Sequence, residues 1–158
     1  GYVLCYFMGV NKWHRDFAVE LARKTNCKII ALPHVDQYIS FDEGYADEMP
    51  YNISPADFIA LIKNADFICT DSFHGTAFST IYGRNFFTFR RFSGKWTLST
   101  NTRFDSIAGR LGIESRLVNE SDSVDEMLSR KFDSQEILQR LKVFRDDSLK
   151  WLINSMEA

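Results

Sequence analysis

Residues 66–76 read DFICTDSFHGT, and this stretch decides the fold. Phe67, Ile68 and Cys69 are consecutive apolar residues without polar alternation, which is typical of a strand covered on both faces. We therefore predict a strand over residues 66–70. The residues after it lead into a helix that ends at about Tyr82, and a buried strand followed directly by a helix is the unit of a parallel α/β sheet.

Outward from this stretch, apolar strands and amphipathic helices continue to alternate. Further strands are predicted at residues 3–7, 28–32, 86–89 and 116–118. Helices are predicted after the candidate cap Asn11, after the capping box of Ser54 and Asp57, near residues 104–111, and from the capping box of Asp133 and Glu136 to about Asn154. Residues 34–52 form a long loop, with 51–53 as a candidate edge strand. The pattern predicts one α/β domain over residues 1–158, a Rossmann-like, doubly wound parallel sheet with strands 3–7 and 66–70 adjacent at its centre.

Composition excludes several classes of protein. Lys and Arg number 19 and Asp and Glu 21, and the resulting net charge of −2 argues against binding to nucleic acid. The three cysteines are far apart in the chain, which argues against a disulfide framework or a zinc site. No apolar run approaches the roughly 20 residues of a membrane span. We expect a cytoplasmic protein and, because the chain opens with Gly1 on a strand-like run, a domain of a longer one.

Ligands of a parallel sheet bind beyond the carboxyl ends of its strands. The loop over residues 70–76 predicts an anion site there, because it combines helix N-terminal amides, the hydroxyls of Ser72 and Thr76, the small Gly75 and the imidazole of His74. The alternative is that Asp71 or Ser72 only caps the helix and His74 is structural. The other two histidines lack such surroundings, and we expect His14 and His34 to lie on the surface or in loops.

Cations follow the next predicted strand. Arg90 and Arg91 come directly after residues 86–89, so at least one of them is expected to point towards the ligand site at the carboxyl ends of the strands. The alternative is that both arginines lie on the surface and are solvated. Arginine suits phosphate or carboxylate because its planar fork binds two oxygens. The sequence lacks the binding motifs for dinucleotides, for nucleoside triphosphates and for metal-dependent sugar nucleotides, and it lacks the turn motif of a serine nucleophile. We therefore predict no cofactor and no metal site.

The sequence resembles the polysaccharide pyruvyl transferases over most of residues 2–118. The segments that carry the resemblance are SPADFI at 54–59, NADFICTDSFHGTAFS at 64–79, the opening strand with Tyr6 and Phe7, Arg103, and LGIESR at 111–116. The resemblance implies transfer of a pyruvyl group from phosphoenolpyruvate to a sugar of an envelope, capsular or exopolysaccharide, giving a cyclic ketal. It also implies a two-domain architecture of the glycosyltransferase-B type, with this chain as the C-terminal half. We expect this half alone to fold without turnover, because the acceptor face belongs to its own N-terminal domain.

The resemblance carries over His74 and Gly75, and His74 is the catalytic candidate. The candidate substrate-binding groups, most of them chosen for their place in the loops after the strands, are Ser72, Gly75, Thr76, Arg90, Arg91 and Arg103. Relatives have Arg-Leu-His-Gly where this chain has Ser72-Phe73-His74-Gly75, so the cation for the donor is expected from one of the three arginines. The implied partners are phosphoenolpyruvate and a glycan or lipid-linked sugar acceptor, and the expected location is the cytoplasm or the inner face of the membrane. A nucleotide-sugar glycosyltransferase and a non-catalytic binding domain of the same fold remain open alternatives.

Overall fold

The computed structural model describes residues 1–91 and 101–157, with side chains in the second range from Phe104 onward. Its five strands are β1 (Tyr2–Tyr6), β2 (Lys28–Ala31), β3 (Phe67–Thr70), β4 (Phe86–Phe89) and β5 (Leu117–Val118). Its helices are α1 (Lys12–Thr25), α2 (Pro55–Asn64), α3 (Phe73–Ile81), α4 (Asn101–Leu111), α5 (Val124–Ser129) and α6 (Ser134–Met156).

The strands form one sheet in the order β2-β1-β3-β4-β5, and all four pairings are parallel. Strands β1 and β3 are neighbours, with Cys5 opposite Cys69 in register. The prediction of a parallel sheet with these two strands side by side is confirmed. Such pairing requires helical crossovers, and their helices cover both faces of the sheet.

Successive side chains of β1 alternate between two hydrophobic cores, which explains why the strand is apolar throughout. Val3 and Cys5 lie in the core that includes α1 and α5, whereas Leu4 lies in the core that includes α2, α4 and α6. Both faces of the sheet are therefore buried, and the functional groups lie at the strand ends.

Local signals set most helix starts. Helix α2 begins with a complete capping box, in which the Ser54 hydroxyl accepts from the Asp57 N–H and the Asp57 carboxylate accepts from the Ser54 N–H, followed by Pro55. At α6 only half of the predicted capping box forms. The Asp133 carboxylate accepts from the Glu136 N–H, but the Glu136 side chain makes no bond back to the Asp133 N–H. Helix α5 was not among the helices predicted from the sequence.

The predicted edge strand at residues 51–53 is wrong. The chain instead runs beside the free edge of β2 a few residues earlier, where Ala31 N–H donates to the Glu48 carbonyl at 2.9 Å. The Asp47 carboxylate accepts from the Ile29 N–H at 2.7 Å and so completes this contact. The acidic part of the long loop therefore covers the edge of the sheet.

Candidate functional site

A crevice is expected where neighbouring strands send their chains to opposite sides of the sheet, and β1 and β3 do so here. The chain leaves β1 for α1, on one face, and leaves β3 for α3, on the other. The loops over residues 8–11 and 71–72 therefore diverge at the carboxyl edge. The residues of the candidate site come from these two loops and from the end of β4.

Asp71 ties the two loops together. Its side chain is fully buried, and its carboxylate accepts from the Met8 N–H at 2.6 Å and from the Gly9 N–H at 2.9 Å. The cap residue of α3 is Ser72, and its hydroxyl makes no capping hydrogen bond. The carboxylate of Asp71 is therefore committed to the neighbouring loop.

Arg91 lies against Asp71 from the end of β4. Its Nη2 donates to the Asp71 carbonyl at 3.2 Å and lies 3.7 Å from the carboxylate Oδ1, while the side chain is 31% exposed. Asn11 donates to the Arg91 carbonyl at 3.0 Å. A Cβ on Gly9 would approach Asp71 Oδ2 to 2.7 Å and Arg91 Cγ to 2.8 Å, so this position needs glycine. The crevice thus holds a fixed, partly exposed guanidinium.

His14 does not lie on the surface, which corrects the expectation from sequence. Its side chain is completely buried, with the ring 4.3 Å from Trp13 and 4.8 Å from Phe89 between ring centroids. Its Nδ1 lies 3.6 Å from Asp71 Oδ2, which is longer than a hydrogen bond. The first turn of α1 packs over the end of β4, and this long-range contact buries the ring.

The charges of this pair follow from their surroundings. Burial lowers the pKa of His14 below its ordinary value of 6.5, and the Asp71 carboxylate offsets that only in part. Burial alone would raise the pKa of Asp71, but His14, the Met8 N–H and the Arg91 guanidinium outweigh it and hold that pKa below 3.8. Near neutrality the site therefore contains a neutral imidazole and an ionised carboxylate.

His34 lies in the long loop as expected, but its side chain is only 6% exposed. Its Nδ1 lies 2.8 Å from Asp42 Oδ2, and the other oxygen of Asp42 accepts from Arg15 Nε at 2.8 Å. Arg15 in turn donates to the Gly9 carbonyl at 2.8 Å. This largely buried polar chain holds the loop after β1 through the Gly9 carbonyl.

His74 lies at the carboxyl edge of β3, as the sequence predicts, in the first turn of α3 and exposed to solvent. The first helical hydrogen bond runs from the Thr76 N–H to the Ser72 carbonyl at 3.0 Å. The N–H groups of residues 73–75 are consequently the donors that a helix N-terminus offers. An imidazole and three backbone donors thus share one turn.

Three of the predicted substrate-binding residues, Ser72, Gly75 and Thr76, are buried. Thr76 is buried, and its hydroxyl lies 2.8 Å from the hydroxyl of Thr88. Gly75 is also buried, and a Cβ there would collide with Thr70 Oγ1. Gly75 therefore allows α3 to pack directly on β3.

The arginines take different positions. Arg90 pairs with Asp105 of α4 at 2.8 Å, whereas Arg91 contacts Asp71 in the crevice. The side chain of Arg103 lies outside the described residues. Of the predicted set, the structure leaves the exposed His74 and the partly exposed Arg91 at the carboxyl edge, whereas Ser72 lies there as a buried cap residue.

Sequence reasoning gave no site role to Asp71, Gly9 or Asn11. Asp71 carried one usable signal, an acidic residue directly after a buried strand. Among the described residues no group of three or more His, Cys, Asp or Glu side chains could hold a metal ion. In the same residues no helix is long and apolar enough to cross a membrane.

Comparison with known proteins identifies the class. The family model of the polysaccharide pyruvyl transferases matches residues 1–91, which is more than half of the chain and contains Asp71, His74 and Arg91. The chain belongs to the polysaccharide pyruvyl transferase family. No curated protein matches it.

A solved structure shares the fold. It is described as the "Glycotransferase of kitacinnamycin" and superposes with a TM-score of 0.52 at 13% sequence identity. The alignment covers 90% of this chain and 39% of that one, so our chain spans well under half of that protein's length. At this identity the likeness concerns the fold alone.

Proposed function

We propose that this chain is the donor-binding half of a transferase that moves a pyruvyl group from phosphoenolpyruvate to a sugar of a polysaccharide. The observation that carries the proposal is that His74, exposed in the first turn of α3, lies at the same edge of the sheet as the partly exposed Arg91 at the end of β4. Membership of the family supports the same reaction class.

The donor is a compact anion, and the crevice offers two kinds of group that bind anions. The N–H groups of residues 73–75 and the positive end of the α3 dipole suit the phosphate. The guanidinium of Arg91 suits the carboxylate or a phosphate oxygen. The nearby charge of Asp71 is compensated by two backbone N–H donors and by Arg91 itself, so it positions this cation.

The chemistry proceeds in two additions. An acceptor hydroxyl adds to the central carbon of phosphoenolpyruvate while a proton is delivered to its methylene carbon. A second hydroxyl of the same sugar then displaces inorganic phosphate and closes the cyclic ketal. His74 is assigned the proton transfer, because it is the exposed titratable group in the turn that binds the donor.

The remaining walls of the site are assigned to the protein's own N-terminal domain, in a glycosyltransferase-B-like arrangement. In this proposal the acceptor is a glycan or a lipid-linked sugar, modified in the cytoplasm or at the inner face of the membrane. The fold shared with a glycosyltransferase supports the arrangement.

The test is His74→Ala in the full-length enzyme with phosphoenolpyruvate and a glycan acceptor. Loss of a general acid typically costs ~10²–10⁴-fold in kcat, and we expect a loss in that range. Retention of kcat within about tenfold of the wild-type value would make His74 structural. Arg145→Ala is a suitable control, because that arginine is exposed on α6.

A further inference from the structure

A cavity of about 390 Å³ opens at the carboxyl edge beside the candidate site, within the size range of small-molecule pockets. Its floor is formed where β1 and β2 end, and its walls are the long loop and the first turns of α2. The lining residues are Tyr6, Leu32, Pro33, Val35, Pro50, Tyr51, Ile53, Ser54, Pro55 and Phe58.

The described residues of the lining are uncharged, and this determines which ligands fit. Among the lining residues that the structure describes there is no Asp, Glu, Lys, Arg or His. The Ser54 hydroxyl is bonded to the ionised carboxylate of Asp57, whose pKa is lowered by that hydrogen bond, so the charge attached to the wall is negative. An anion such as phosphoenolpyruvate would lose solvation here without gaining a cation. The cavity therefore suits a neutral ligand.

The walls are aromatic and rich in proline. Among the described residues three rings line the cavity, those of Tyr6, Tyr51 and Phe58, and Tyr51 is 72% exposed at the rim. All three prolines of the chain are lining residues, and proline restricts the backbone that carries it. A site with fixed walls loses little conformational entropy when a ligand binds.

A row of aromatic rings connects the cavity to the helix of His74. Tyr6 packs on Phe58 at 5.1 Å, and Phe58 packs on Phe78 at 6.0 Å, both between ring centroids. Phe78 follows His74 by four residues on α3, so the two side chains lie on one face of that helix, one turn apart. Helices α2 and α3 thus pack in the same layer of the fold, with the cavity at the first turn of α2 and His74 in the first turn of α3.

We propose that this cavity binds one uncharged pyranose ring of the acceptor glycan. The inference rests on the proposed function, which requires such an acceptor next to His74, and it adds one subsite in this chain to the acceptor face otherwise assigned to the N-terminal domain. The C–H face of the sugar packs on the ring of Tyr51, and its hydroxyl edge points along α3 towards the first turn. The donor and acceptor then occupy separate subsites, one cationic and one neutral.

The test measures binding without turnover. Methyl β-D-galactopyranoside and methyl N-acetyl-β-D-glucosaminide are titrated against this chain, and binding is followed by saturation-transfer NMR. Tyr51→Ala removes the rim ring, and we expect it to raise the dissociation constant by about tenfold because the apolar contact is lost. Tyr38→Ala is the matched control, since Tyr38 is 75% exposed on the same loop and outside the lining. We expect it to change the constant by less than about twofold.

Binding of either sugar that Tyr51→Ala weakens and Tyr38→Ala preserves supports the proposal. Failure of both sugars to bind up to their solubility, or an equal effect of the two variants, overturns it. Titration with phosphoenolpyruvate followed by ³¹P NMR separates the two proposals. If phosphoenolpyruvate binds and the sugars do not, only the acceptor subsite is refuted. If the sugars bind and phosphoenolpyruvate does not, the proposed donor chemistry is refuted and the cavity stands as a sugar site.

Discussion

Replacement of Asp71 by Asn tests the arrangement of the crevice. The carboxylate is fully buried and accepts from two backbone N–H groups, at 2.6 Å from Met8 and 2.9 Å from Gly9. An amide can turn its oxygen to only one of these donors, and its NH₂ then faces the other. A hydrogen bond to a buried charge contributes ~1.5–3 kcal/mol, and Arg91 also loses its counter-charge. We expect the free energy of unfolding to fall by about 2–4 kcal/mol.

Urea unfolding followed by circular dichroism at neutral pH measures this loss. Asp105→Asn is the matched control, because it breaks the exposed pair with Arg90 and should cost at most about 1 kcal/mol. The pKa of Asp71 is lowered in the folded protein, so the unfolded chain takes up a proton first as pH falls. The contribution of Asp71 is therefore complete above the ordinary pKa of 3.8 and is lost as pH falls through the lower native value.

Three results together would support the reasoning about Asp71. The variant should be less stable than the wild type at neutral pH, and the difference should shrink in acid. Phosphoenolpyruvate should also bind about tenfold more weakly, because Arg91 loses its fixed position. If Asp71→Asn costs no more than Asp105→Asn, the carboxylate does not organise the loop after β1 and our account of the site is wrong.

Further variants test the packing and the buried histidine. Gly75→Ala should destabilise the fold by ~1–3 kcal/mol, because the new Cβ collides with Thr70. Gly109→Ala on helix α4 should stabilise the fold by ~0.5–1 kcal/mol, because the nearest atom to its new Cβ is 3.8 Å away. Thermal unfolding compares the two variants. Because the pKa of His14 is lowered on folding, wild-type stability should fall as pH drops below 6.5. His14→Phe should flatten that slope in urea titrations, and an unchanged slope would contradict the assignment.

The strands were predictable because their signal is local. A run such as Phe67-Ile68-Cys69 has no polar side chain to face water, so it requires cover on both faces. The start of α2 was equally clear, since Ser54, Pro55 and Asp57 satisfy one another within a single turn. Helix α5 was missed because its six residues form too short a pattern, although Ser123 caps it by accepting from the Glu126 N–H.

The site was predictable only in part. His74 was placed at the carboxyl edge because position along a strand–helix unit determines it. The burial of His14 was missed because its neighbours Phe89 and Asp71 are far away in sequence. The contact between His34 and Asp42 was also missed, because nothing in the sequence of the long loop shows how the loop folds back on itself.

By itself, the sequence determined the order of strands and helices, the parallel sheet and the edge on which His74 lies. These follow from hydrophobic periodicity and capping, which act over a few residues. Only the tertiary structure decided that Asp71 turns inward to Met8 and Gly9 and that Arg91, rather than Arg90, contacts it in the crevice. The two arginines are adjacent in the chain, and successive residues at the end of a strand point to opposite sides. Which one meets the crevice depends on the packing of neighbouring strands and helices, and that is a long-range property.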